Sequence, residues 1–197
     1  MSLAPVTARI LRVFRSADPD QLADGMSWYE TAHLAALELS DEHGLSIVQT
    51  SGIIAALSPQ MSWGSNLRWA AEVASGQDTR RGLGLSLQRA IRIRNGESPL
   101  ESVLGGQKVR AFFHGIITAG DTNEVCVDRH AYDLATGSRG NHTSLTPKRY
   151  VATADAYRAA SVRLKATGEE LDISAAQVQA VTWVTWRDRY WAPGAWS

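Results

Sequence analysis

Apolar residues recur along most of this chain at helical spacing, and the polar breaks between them carry the signals that start and stop helices. Residues 8–14 form a short amphipathic run that ends before a polar loop at 16–20. Ser27 followed by Glu30 has the form of a capping box, and Trp28, Ala32, Leu34, Ala35, Leu37 and Leu39 then carry a helix as far as Gly44. From Ile47 the segment places Val48, Ile53, Ile54 and Leu57 on a buried helix, which Ser58 and Pro59 end because the residue before proline disfavours helix. Gln60 therefore falls in a loop. A further helix is expected from about Ser65 through Trp69 and Val73 to Gly76, followed by a polar, basic connection at 77–82 that marks a possible boundary between two lobes. Leu83, Leu87, Ala90, Ile91 and Ile93 suit the next helix, with Arg89, Arg92 and Arg94 on its wetter face.

The stretch at 104–132 is the most informative. Ser98, Pro99 and Glu101 predict a short helix that leads into a turn at Gly105 and Gly106. Gln107 opens a helix whose apolar positions are Val109, Phe112, Phe113, Ile116 and Ile117, and Gly120 is expected to close it. Val125, Cys126 and Val127 read as extended, delivering Asp128, Arg129 and His130 beside the glycine turn. A polar loop over 136–145 precedes Thr146 and Pro147, which start a long helix ending near Gly168; Ser174 caps the last, with Val178, Val181, Trp183, Val184 and Trp186 partly in the core. The single strand-like run makes the class all-α, in one compact domain over residues 1–197.

Composition narrows the function without naming it. The 197 residues carry 20 Lys+Arg against 20 Asp+Glu, so any affinity for nucleic acid must come from local clustering of charge. The one cysteine excludes an internal disulfide, and no Cys/His cluster has metal-ligand spacing, so neither metal nor cofactor is expected. No run reaches the roughly 18 apolar residues of a membrane span. The first residues are too short an apolar stretch for a secretory signal. A cytoplasmic setting, with no membrane partner, is the expectation.

Three segments together resemble the helix-hairpin-helix DNA glycosylase superfamily, which includes endonuclease III. SPQMSWGSN from Ser58 is similar to the loop whose glutamine fills the stack where a base is extruded. LGGQK from Leu104 is similar to the hairpin that binds a DNA phosphate and ends in the catalytic lysine of the lyase members. VCVDRHAY from Val125 resembles the segment that carries the essential aspartate. The hairpin glycines are adjacent here instead of separated by one residue, and the iron-sulfur cysteines are missing. AALSPQMSWGSN from Ala55 looks more like bacteriophage members that install amines on thymine in DNA.

That resemblance implies an all-α helix-hairpin-helix glycosylase-like fold and a base-flipping enzyme acting on double-stranded DNA. Its substrate would be a 5-phosphomethyl or 5-pyrophosphomethyl uracil, whose phosphate is displaced by an amine such as glycine; if phage-encoded, it would act in the host cytoplasm. A glycosylase, with or without lyase activity, is the second reading and a non-catalytic DNA-binding module the third. Asp128 and Lys108 are the catalytic candidates. An aspartate in a partly dry pocket acts as a base toward water or an amine, or stabilises a developing cation. A desolvated lysine attacks C1′ as a Schiff-base nucleophile, or stays charged and holds a phosphate. The plainer alternatives are an N-cap for Asp128 and a surface ion pair for Lys108, although lysine occurs only at 108, 148 and 165.

Gln60, Gly105, Gly106, Gln107 and Arg129 are the DNA-contact candidates. Trp63, Asn66, His130 and Arg187 are candidates for the base and substrate pocket, by stacking, edge recognition and charge. Gln60 serves equally to tie its own turn and His130 as a structural histidine; Trp183 and Trp186, on the last helix with Arg187, are candidates to close the pocket, with plain packing the favoured reading for both.

Overall fold

The computed structural model describes residues 3–77, 84–99, 103–137, 145–169 and 172–190, and among them the chain is all-α, with nine helices and no strand. In order these are α1 (Leu3–Phe14), α2 (Pro19–His43), α3 (Ile47–Leu57), α4 (Trp63–Ala74), α5 (Gly84–Arg94), α6 (Gln107–Ile117), α7 (Arg129–Thr136), α8 (Pro147–Thr167) and α9 (Ala175–Tyr190). Most of the connection at 77–82 lies outside the described residues, as do residues 100–102 of the short helix expected before the glycine turn and most of the loop at 136–145. The helices on either side of 77–82 share one apolar core, in which Ala70 and Val73 of α4 meet Ala90 and Ile93 of α5.

Local chemistry sets the helix ends, and it corrects two of the sequence expectations. The second helix starts at Pro19, not near Ser27: Asp18 accepts the Gln21 N–H at 2.8 Å while Gln21 answers the Asp18 N–H, a complete capping box with proline in the first turn. Ser27 sits inside that helix and donates its hydroxyl to the Ala23 carbonyl at 2.9 Å. At the other end of the central stretch, α6 stops at Ile117 and not at Gly120. Ala119 takes the left-handed position at φ 51°, its N–H donating to Ile116 and that of Gly120 to Gly115 at 2.8 Å. This is the Schellman pattern with an alanine where glycine is usual.

Two hydrophobic cores divide the molecule. One gathers α3, α4, α5, α6 and the inner face of α2; the other gathers α1, α7 and α8. Helix α9 belongs to both, giving Ala176 and Ala180 to the first and Val178, Val181 and Trp186 to the second. It runs tightly along α2. A Cβ on Gly25 would lie 2.3 Å from the Val181 Cα, so only a residue without a side chain permits this crossing.

The run at 125–127 links the cores in the same way. Its side chains alternate between the cores, Val125 and Val127 entering the second and Cys126 the first, while the Val127 N–H donates to the Val125 carbonyl at 2.9 Å and the Asp128 N–H to that of Cys126 at 3.1 Å, tight turns in place of the expected extended backbone. Among the described residues no strand is present to pair with it. The Tyr150 hydroxyl instead donates to the Val125 carbonyl at 2.6 Å and receives the Val127 N–H at 3.4 Å. Among the described residues, no helix is long and apolar enough to cross a membrane.

Candidate functional site

A cavity of about 690 Å³ opens where the two cores meet, a size that suits one small ligand. Four pieces of chain build it: α2 through Trp28 and Tyr29, the loop and start of α4 from Ser58 to Asn66, α6 through Lys108 and Phe112, and α9 through Gln179, Ala180, Trp183 and Arg187. Cys126, Asp128, Arg129 and His130 complete it from the run at 125–127 and the start of α7.

Asp128 is fixed from two directions. It is the N-cap of α7, with Oδ1 accepting the Ala131 N–H at 2.8 Å, and its Oδ2 accepts the Trp183 indole N–H at 3.1 Å. The capping role and a place in the cavity therefore coexist, because an N-cap carboxylate needs only one lone pair for its helix. Two donors on two oxygens leave the carboxylate plane little freedom.

Lys108 occupies the second position of α6, half-buried, and takes part in none of the ion pairs formed among the described residues. Its charge and that of Asp128 both act on the Cys126 thiol, lysine pulling its pKa down and aspartate pushing it up. Burial outweighs both, and the thiol is pushed up to about 12. Cys126 thus stays protonated at neutral pH and is a poor nucleophile despite lining the cavity.

Aromatic rings form one wall. Trp28 is their centre, with its ring 5.2 Å from Trp63, 5.8 Å from Phe112 and 6.1 Å from Trp183 between centroids. Arg187 lies one turn beyond Trp183 on α9 and stacks its guanidinium over that indole at 4.7 Å. Burial lowers the Arg187 pKa while Asp128 opposes the shift. Burial likewise lowers that of His130, against the opposing pull of Asp128 and with help from Arg187, so its imidazole tends to the neutral form.

Gln60 sits exposed at the cavity rim with φ 61°, a left-handed conformation that costs a residue with a side chain about 1–2 kcal/mol. Strain of this kind clusters at functional loops. Gly105, Gly106 and Gln107 do not line the cavity. Gly105 and Gly106 form the adjacent turn and Gln107 is the first residue of α6, which Gly106 at φ 79° begins without any side-chain cap. The first N–H groups of α6 are therefore left without a capping side chain, an arrangement suited to an anion. Arg89 covers Gly105 so closely that a Cβ there would lie 2.9 Å from the guanidinium.

All eight of Gln60, Trp63, Asn66, Lys108, Asp128, Arg129, His130 and Arg187 thus line one cavity, and Gly105, Gly106 and Gln107 stand beside it in sequence, ahead of Lys108. Sequence reasoning passed over Tyr29, Met61, Phe112 and Gln179 as parts of a site, and read Trp28 as a core position. The two tryptophans of α9 separate: Trp186 is buried in the second core, whereas Trp183 faces the cavity and holds Asp128. A usable signal was the spacing of residues 179, 183 and 187, which places Gln179, Trp183 and Arg187 on one face of α9. Among the described residues, no group of three or more His, Cys, Asp or Glu side chains comes together as a metal site.

No curated protein and no solved structure matches this chain. The chain belongs to a family of unknown function, DUF7178, whose model matches residues 1–190.

Proposed function

We propose that this chain is a DNA-acting enzyme that draws a modified pyrimidine out of the duplex and replaces a phosphate on its 5-methylene carbon with an amine. The observation that carries this reading is the shared cavity, in which Asp128, doubly held, and Lys108 meet an aromatic wall of the size a base requires. The helix-hairpin-helix glycosylase-like fold and the phage-type activity inferred from the loop at Ser58, the turn at Leu104 and the segment at Val125 agree with that placement.

In this reading the amine nitrogen, from glycine or a similar small donor, forms a bond to the 5-methylene carbon. The carbon–oxygen bond to the phosphate or pyrophosphate breaks, and the leaving group departs with the electron pair. Asp128 takes the proton released by the attacking amine. Lys108 and Arg187 offset the charge of the leaving phosphate, and Arg187 is held over Trp183 for that purpose. Gln60 fills the gap in the stack, and the uncapped start of α6 with Arg129 holds the DNA backbone.

A glycosylase/lyase would use the same residues differently. Lys108 would attack C1′ and form an imine, which borohydride traps as protein joined to DNA. Incubation with borohydride and DNA carrying 5-hydroxymethyluracil or its phosphorylated forms is expected to yield no covalent adduct. An adduct lost in Lys108→Ala would overturn the transferase reading in favour of the lyase.

A further inference from the structure

One residue of the cavity wall carries a buried acceptor without a partner. Asn66 is 2% exposed, and its amide nitrogen donates to the Ile54 carbonyl of α3 at 3.1 Å. A carbonyl only accepts, so this bond decides the orientation of the amide and turns the oxygen the other way. Asn66 Oδ1 is buried, lacks any hydrogen-bond partner, and belongs to a side chain of the cavity wall. Buried acceptors are almost always paired, and an exception at a cavity points to a ligand donor.

A second amide lies on the same cavity. Gln179 is 6% exposed and accepts the Tyr29 hydroxyl on Oε1 at 3.3 Å, which leaves its NH₂ group as a donor. Trp63 stands three residues before Asn66 on α4, so a flat surface for stacking adjoins the acceptor.

We infer that Asn66 and Gln179 read the imide edge of the extruded base: Asn66 Oδ1 accepts the ring N3–H, and the Gln179 amide donates to a flanking carbonyl oxygen. This assignment rests on the reading that the cavity receives a uracil-type base. A flipped base is recognised on the edge it formerly used for pairing. Uracil offers N3–H between two carbonyls, whereas the cytosine N3 carries a lone pair that would face the Asn66 oxygen. The site therefore selects the uracil series over the cytosine series.

The test compares 2′-deoxyuridine with 3-methyl-2′-deoxyuridine by ligand-observed NMR, and duplexes carrying 5-hydroxymethyluracil with their N3-methyl counterparts by binding titration. Methylation at N3 is expected to weaken binding on the order of tenfold or more, because it removes the donor and leaves the buried oxygen unpaired. Since the same methyl group breaks base pairing and eases extrusion, a cavity indifferent to N3 would bind the methylated duplex equally or better. That result would overturn the assignment. In Asn66→Ala, with folding checked by circular dichroism, the preference should vanish; should that variant not fold, the comparison of probes on the wild-type chain decides alone. Amine transfer without an N3 preference removes this assignment and keeps the reaction, whereas an N3 preference without amine transfer does the reverse. Binding of neither nucleosides nor duplexes overturns both.

Discussion

Trp183 donates its indole N–H to Asp128 at 3.1 Å across 55 positions of sequence, tying the last helix to the start of α7 at the wall of the cavity. The other oxygen of Asp128 is already committed to the Ala131 N–H. An asparagine has one acceptor oxygen and one donor nitrogen, so Asp128→Asn cannot satisfy both donors. Either the cap or the Trp183 contact is lost. The variant should be less stable by about 1–2 kcal/mol in a urea melt, the order of one cap or one hydrogen bond left unmade. A midpoint equal to that of the wild type would show that the two contacts do not hold the carboxylate.

Gly25 offers a test of the packing that places Trp183 there. With a Cβ 2.3 Å from the Val181 backbone, Gly25→Ala forces α2 and α9 apart. Overpacking of this sort costs about 1–3 kcal/mol or more, and the loss should reach the site, because Trp28 and Trp183 sit on the same two helices. Thermal melts should show a clear fall in midpoint. An unchanged midpoint would contradict the close crossing.

Strain at Gln60 separates structure from function. Gln60→Gly removes the left-handed penalty, so stability should hold or rise by up to about 1 kcal/mol, while DNA-dependent activity falls with loss of the side chain. Activity at the wild-type level would assign Gln60 to its loop alone. Lower stability would mean that the glutamine side chain holds the turn together.

The pH dependence of stability follows from His130. Burial lowers its pKa, so as pH falls the unfolded chain takes up the proton first and folding weakens. Stability is full above the ordinary histidine value of about 6.5 and declines below it until the lower folded value is passed. His130→Gln should show a shallower decline between about pH 7 and pH 5 in urea melts at a series of pH values. An equal decline in both proteins would mean that another group carries the pH dependence.

Much of the fold was legible because its punctuation is explicit. Thr146 with Pro147 and Gly168 bound α8 as expected, and Gly44 ends α2. The start of α2 was misplaced because Ser27 and Glu30 copy a capping box inside a helix that Asp18 and Gln21 begin. Ala119 hid the end of α6, since the left-handed backbone begins at this alanine, one residue before Gly120 continues it at φ 87°. Most candidate site residues could be named because they lie in short polar segments next to turns. Gln179 was passed over and packing was favoured for Trp183, because α9 is buried in two cores at once and shows no apolar stripe that would single out the face carrying residues 179, 183 and 187. Tryptophans that wall a cavity and tryptophans that fill a core leave the same trace in a sequence.

The measurement that bears most directly on the proposed reaction is mass spectrometry of nucleosides digested from DNA after incubation with the protein. The DNA carries 5-phosphomethyl or 5-pyrophosphomethyl uracil, and glycine is present or withheld. The account predicts a nucleoside whose phosphate is replaced by the amine, formed only with glycine or another amine donor, with no abasic site, and abolished in Asp128→Asn. A clean abasic product, or a modified base left unchanged with every amine offered, would contradict it.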